Sequence, residues 1–148
     1  MPIPELNEHG FLPEGIYDAS PDEIRERFGR FQRTDRRPEL FSRLMVLLAE
    51  IRSTGLVKAV IVDGSFVSAK DEPSDIDLIL ILHGDHDDGV ELRPFEYNVL
   101  SKRRVRRQFH FDMVVVRDGS EGYQRAVSFF QRVKDRPGIW KGVIRVIP

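Results

Sequence analysis

The eight residues DIDLILIL, Asp75 to Leu82, limit the fold more than any other stretch. They are too few and too rich in β-branched side chains for a helix, so they read as a strand. LVKAVIVDG, ending at Gly64, reads as a second, buried strand, and FHFDMVVV, closed by RDGS, as a third. Helical segments alternate with them. ASPDEIRERFGRF carries Ser20 as an N-cap, Pro21 at the first helical position and Glu23 to complete a capping box, with Ile24, Phe28 and Phe31 on one face. RPELFSRLMVLLAEIRSTG is the strongest helix. Leu40, Phe41, Leu44, Met45, Leu47, Leu48 and Ile51 form its apolar stripe, and Gly55 stands at the C-terminal cap. RPFEYNVLSKRRVRR reads as helical from Pro94. SEGYQRAVSFFQRVKD places Tyr123, Ala126, Val127, Phe130 and Val133 on one side of a further helix, and GVIRVI suits a short closing strand. The expected fold is α/β: a small mixed sheet flanked by helices.

A length of 148 residues suits one domain with a real core, so residues 1–148 are read as a single unit. Residues 1–19, rich in Pro and Gly, are expected to form an extended arm whose Ile3, Leu6, Phe11, Leu12 and Ile16 pack on the body. Charged residues make up 32% and hydrophobic ones 41%, a soluble globular composition. The net charge of -1 leaves attraction to nucleic acid or membrane to local patches. There is no cysteine, which excludes thiolate nucleophiles and zinc–thiolate sites. Nothing resembles a signal peptide or the roughly 18 consecutive apolar residues of a membrane span, so a cytoplasmic protein is expected.

Asp75 and Asp77 sit at the mouth of an apolar strand. Residues i and i+2 of a strand share a face, where two carboxylates repel and are costly to bury unpaired. A divalent cation such as Mg2+ relieves this and keeps sites open for phosphate oxygens. Asp112 is a third acid among apolar neighbours. If the strands are neighbours, the three carboxylates converge, enough for a two-metal site. Gly64 and Ser65 end the preceding strand. Glycine lets a backbone approach a phosphate, and serine offers a hydroxyl and an N–H.

Gly-Ser, nine residues, DID, then a later apolar-Asp-apolar strand resembles the nucleotidyltransferase superfamily of DNA polymerase β, most closely its minimal prokaryotic members. LPEGIYDASPDEIRERF and DGSFVSAKDEPSDIDL look like an uncharacterised set of short prokaryotic nucleotidyltransferase-like proteins. The resemblance covers roughly residues 40–116 as a catalytic core. It implies the nucleotidyltransferase fold, with Gly64, Ser65 and Lys70 on a nucleoside triphosphate, and Asp75, Asp77 and Asp112 on Mg2+ or Mn2+. It also implies that Asp112 helps deprotonate the acceptor hydroxyl. The implied acceptors are a protein side chain, a tRNA end or a small molecule, and many relatives belong to toxin–antitoxin or defence pairs. Asp63 stands where the family commonly has an apolar residue, and Lys70 is the one basic residue of the spacer.

Other readings stand beside this one. The fold can be kept as a non-catalytic, antitoxin-like module for a partner protein or a second copy of the chain. HGDHDD, with His83, Asp85, His86, Asp87 and Asp88, reads as a solvated loop rather than a metal cluster. Lys102 to Arg107, KRRVRR, reads either as an exposed helix end or as an anchor for a phosphate-rich acceptor such as tRNA.

Overall fold

Five strands form one mixed sheet in a computed structural model that describes residues 3–148. In chain order the elements are β1 (Gly15–Asp18), α1 (Pro21–Ile24), a π-helical turn (Arg25–Gly29), α2 (Arg36–Thr54), β2 (Val57–Asp63), β3 (Asp77–Leu82), α3 (Pro94–Leu100), α4 (Lys102–Phe109), β4 (Asp112–Arg117), α5 (Glu121–Gln131) and β5 (Gly142–Val146). The sheet order is β1-β5-β2-β3-β4. β1 runs parallel to β5 and β3 parallel to β4, while β2 is antiparallel to both neighbours. The chain is therefore mixed α/β. No helix among the described residues is long and apolar enough to cross a membrane.

Side-chain alternation sorts the sheet into two faces. Val60, Val62, Leu78, Leu80, Ile144 and Val146 meet Leu40, Leu44, Leu47, Leu48 and Ile51 of α2 in the main core. Ala59, Ile61, Ile79, Ile81 and Val143 form a smaller cluster with Val127 of α5. Both apolar runs are buried on both faces, which is why they read as near-continuous hydrophobic stretches. The parallel step from β3 to β4 needs a crossover, which α3 and α4 supply.

The helical caps follow the sequence. Ser20 accepts from the Glu23 N–H and Glu23 reaches back in a capping box, while Gly55 ends α2 in the left-handed region at φ 68. Phe31 departs from expectation: it is 63% exposed. The helix stops at Gly29 and Arg30 is extended, so Phe31 no longer continues the face of Ile24 and Phe28. The segment from Pro94 to Arg107 is two helices rather than one. Ser101 (φ -84, ψ 107) leaves the helical region and caps α4 through Arg104 N. β3 begins at Asp77 instead of Asp75, and β4 at Asp112 instead of Phe109, because Phe109 ends α4 and His110 takes φ 63 as its C-cap.

The expected arm packs on the body, with Leu12 fully buried, but Gly15–Asp18 within it is an edge strand. Met1 and Pro2 lie outside the described residues. Gly142 makes this docking fit. Its N–H donates to Leu12 O at 2.9 Å, and a Cβ there would lie 2.3 Å from Pro13 O and 2.6 Å from the Tyr17 ring. Gly142→Ala should therefore destabilise the fold by about 1–3 kcal/mol through overpacking and make the arm the first site of limited proteolysis. Unchanged urea midpoint and cleavage pattern would refute that.

Candidate functional site

The acids gather at one end of the sheet through strand register. Asp63 of β2 is opposite Asp77 of β3, and Asp77 is opposite Asp112 of β4. Directly paired residues share a face, so the three form a row. Continuing the alternation from Ile61 and Ile79, that face is the α5 side. Asp63 comes from the sheet interior and is 2% exposed, whereas Asp112 is exposed.

Asp75 lies just before β3 and is held there by the loop after β2. Ser65 donates to its Oδ1 twice, from the N–H at 2.9 Å and the hydroxyl at 2.5 Å. The same hydroxyl accepts from Ser74 N at 3.0 Å. Gly64, at φ 92, allows this close approach: a Cβ would lie 3.0 Å from Asp75 O and 3.0 Å from Asp77 N. Asp112 is turned to the Arg106 guanidinium. Asp77 and Asp112 thus share one row with Asp75 beside it. Among the described residues, no three carboxylates or imidazoles stand together as a metal cage. Asp75 is bonded by Ser65, and Asp112 is paired with Arg106.

Burial raises two acids of the row above the ordinary carboxyl value. Burial pushes the Asp77 carboxyl up to about 6, and the charges of Asp75 and Asp112 push the same way, with Lys141 and Arg106 only partly opposing them. Burial raises Asp63 further, to about 7, despite Lys141 Nζ 3.0 Å from its Oδ2. Asp63 Oδ1 is buried without a hydrogen-bond partner. Between the ordinary carboxyl value of 3.8 and about 7, the folded chain keeps protons that the unfolded chain has released. Stability should therefore fall as pH rises through that window and flatten above it, by about 1.4 kcal/mol per pH unit for a group fully out of step. Acids with lowered values, such as Asp18 and Asp118, act in the opposite sense and at lower pH. Urea denaturation of the metal-free chain from pH about 5 to about 8 reads this slope, and Asp63→Asn should flatten it. A wild-type profile that rises with pH would contradict the assignment.

Two cavities meet at Asp77. One, of about 470 Å3, lies between the Gly64–Lys70 loop, the arm at His9–Phe11, and Lys134 and Lys141. The other, of about 540 Å3, lies between α4, β4 and the end of α5. Lys70, exposed at the end of its loop, lines the first. Its loop is held from beneath by Arg37, 1% exposed, whose guanidinium donates to the carbonyls of Phe28, Phe66, Ser68 and Lys70 at 3.1, 2.7, 2.7 and 2.7 Å. The Phe28 and Phe66 rings flank it, with centroids at 6.0 and 5.6 Å. Reading the sequence missed Lys141 and Arg37. An acid closing an apolar strand, Asp63, is the one signal that a cation has to be near.

The basic run divides by direction. Lys102, Arg103 and Arg106 line the second cavity, whereas Arg104 turns away to Glu50 at 2.6 Å and the Phe109 ring. The HGDHDD loop follows the far end of β3, away from the acids, where Asp88 pairs with Arg117 at 2.6 Å.

Fold and site together define a small mixed α/β protein with a carboxylate row at the open end of its sheet. The chain belongs to a family described as a family of unknown function (DUF6932), whose model matches residues 4–147. Neither a curated protein nor a solved structure matches it.

Proposed function

We propose that the chain is a metal-dependent nucleotidyltransferase, moving a nucleoside monophosphate from a nucleoside triphosphate to a hydroxyl and releasing pyrophosphate. The observation that carries this reading is the row of Asp63, Asp77 and Asp112 across three strands, with Asp75 and the Gly64–Ser65 turn beside it. The donor set suits a hard divalent cation, because it is all carboxylate and Asp77 bears the repulsion of Asp75 and Asp112. Asp75, Asp77 and Asp112 would hold Mg2+ or Mn2+. Bound there, the cation would supply charge neutralisation to the phosphates and to the leaving pyrophosphate.

The chain's own residues do the rest. Gly64 lets the backbone approach the phosphates, and Ser65, Lys70 and Lys141 line their cleft. The Ser65 N–H and hydroxyl donate to Asp75 in this structure and would be available to a phosphate if Asp75 held the cation instead. Asp112, exposed and near solvent, accepts the proton of the acceptor hydroxyl as its oxygen attacks the α-phosphorus. The bond to the β-phosphate breaks as that attack proceeds. By resemblance to minimal nucleotidyltransferases, a cytoplasmic toxin–antitoxin or defence setting fits.

A second reading has its own support. Ser65 occupies Asp75, and Arg106 occupies Asp112, as expected of a fold kept for binding a partner protein or a second copy without turnover. Incubation with each labelled nucleoside triphosphate, Mg2+ and cell extract separates the two. Transfer of label to any component supports the enzyme. Binding of nucleotide without transfer moves the reading to the binding module.

A further inference from the structure

We propose that the outer edge of β4 is a docking groove for an extended segment of a partner protein, one that alternates acidic and apolar side chains and joins the sheet as a further strand. β4 is the last strand of the sheet, with β3 on one side only. The Asp118 N–H donates to Leu82 O at 2.9 Å, which sets the parity of the ladder. In a parallel pair, alternate residues turn both backbone groups to the same neighbour. Asp112, Val114 and Val116 therefore face β3, and Met113 and Val115 turn their N–H and C=O outward. No loop or helix among the described residues supplies them a backbone partner. Open edges are usually kept short, charged, or broken by a proline or a bulge. β1, at the other edge, has four residues and ends at Asp18. β4 has six, is apolar from Met113 to Val116, and pairs with β3 without a break in register.

The walls decide what the added strand carries. α4 packs on the main-core face of the sheet through Val105 and Phe109, and α5 on the opposite face through Val127. The cavity between them is lined by Met113 and Val114 of β4, by Lys102 and Arg103 of α4, and by Phe129 and Phe130 of α5. Lys102 and Arg103 are exposed and pair with no carboxylate among the described residues, and Phe129 is 70% exposed. Successive side chains of a strand point to opposite faces. An added strand therefore offers every second side chain to the two cations and the others to the two rings. Acids suit the first set and apolar side chains the second. A second copy of the chain fits less well. Two β4 strands paired antiparallel about a twofold axis bring both α4 helices, with their unpaired cations, to the same face. A nucleic acid has no backbone N–H and C=O at strand spacing to complete the ladder.

The inference holds whether or not the chain turns over, so its test contains neither nucleotide nor metal. The probe is a capped peptide of about eight residues, within the usual length of a strand, that alternates Glu and Val. Its control carries the same residues as a Glu block followed by a Val block. Amide exchange of the full chain, read by NMR, should slow at least about tenfold at Met113 and Val115 with the alternating peptide and not with the block peptide. In fluorescence anisotropy, Phe129→Ala should weaken the alternating peptide by about five- to thirtyfold, the scale of an aromatic anchor. Lys102→Glu with Arg103→Glu should weaken it about tenfold and move the preference to a peptide alternating Lys and Val, a swap that loss of structure does not produce. The proposal is overturned if the block peptide binds as tightly, if the protected amides lie elsewhere, or if either variant binds as wild type. Protection of Met113 and Val115 on raising the protein concentration without peptide gives the edge to a second copy and overturns it. Protection of the same two amides by single-stranded RNA also overturns it. Failure here leaves the nucleotidyltransferase reading untouched, and failure of label transfer leaves this one standing.

Discussion

Asp77→Asn is expected to abolish label transfer, by about a thousandfold or more, while the fold survives. Asp77 is the centre of the carboxylate row, in register with Asp63 on one side and Asp112 on the other. Asparagine keeps the shape and removes the charge that a divalent cation needs. Several kcal/mol of transition-state stabilisation go with that charge, which sets the scale of the loss. Stability should move the other way. Burial and the charges of Asp75 and Asp112 disfavour the ionised Asp77, so the metal-free variant should gain about 1 kcal/mol at pH 8 after discounting for partial exposure. Asp77→Asn with full transfer would remove the carboxylate row from the chemistry. A variant that fails to fold would contradict the view that the row is a local excess of charge.

Arg37→Met should cost about 3–5 kcal/mol, the largest stability effect of any substitution considered. The guanidinium gathers the carbonyls of Phe28, Phe66 and Ser68, buried between two rings, and the part-buried carbonyl of Lys70. Removing it strands four acceptors, and buried acceptors left unpaired are costly. Arg37→Lys should not rescue, because an ammonium has three donors and no planar fork to span four carbonyls. The same substitutions should weaken nucleotide binding, since Arg37 fixes the loop that carries Ser65 and Lys70. Guanidinium denaturation checks the first effect. A midpoint within error of wild type for Arg37→Met would show that these carbonyls find water instead.

The sequence made some parts of this structure legible and hid others, for physical reasons. α2, β2 and β3 could be read because each buries a long apolar surface, and a continuous run records that burial whatever the partner is. β1 could not, because four residues at a sheet edge, GIYD, carry too little pattern to mark a strand. The break at Ser101 hid in a stretch of good helix formers, where one cap decides the boundary. In the site, Asp77 and Asp112 stood out as acids in apolar strands, and register then put them opposite each other. Asp75 was placed inside β3 by its spacing, but its bonds from Ser65 hold it in the preceding loop. Lys141 and Arg37 act through partners far away in the chain, Asp63 in one case and the loop carbonyls in the other. Such pairings leave no local periodicity to read.

Titration calorimetry of the wild-type chain with nucleoside triphosphates, in Mg2+ and again in EDTA, tests the central claim most directly. Asp75 and Asp112 repel the ionised Asp77 more than Lys141 and Arg106 relieve it, and the triphosphate adds more negative charge. Binding should therefore depend strongly on the metal, and Asp77→Asn should remove that dependence. Equal affinity with and without Mg2+, or no binding of any nucleoside triphosphate in its presence, would contradict the claim that this carboxylate row is a metal–nucleotide site.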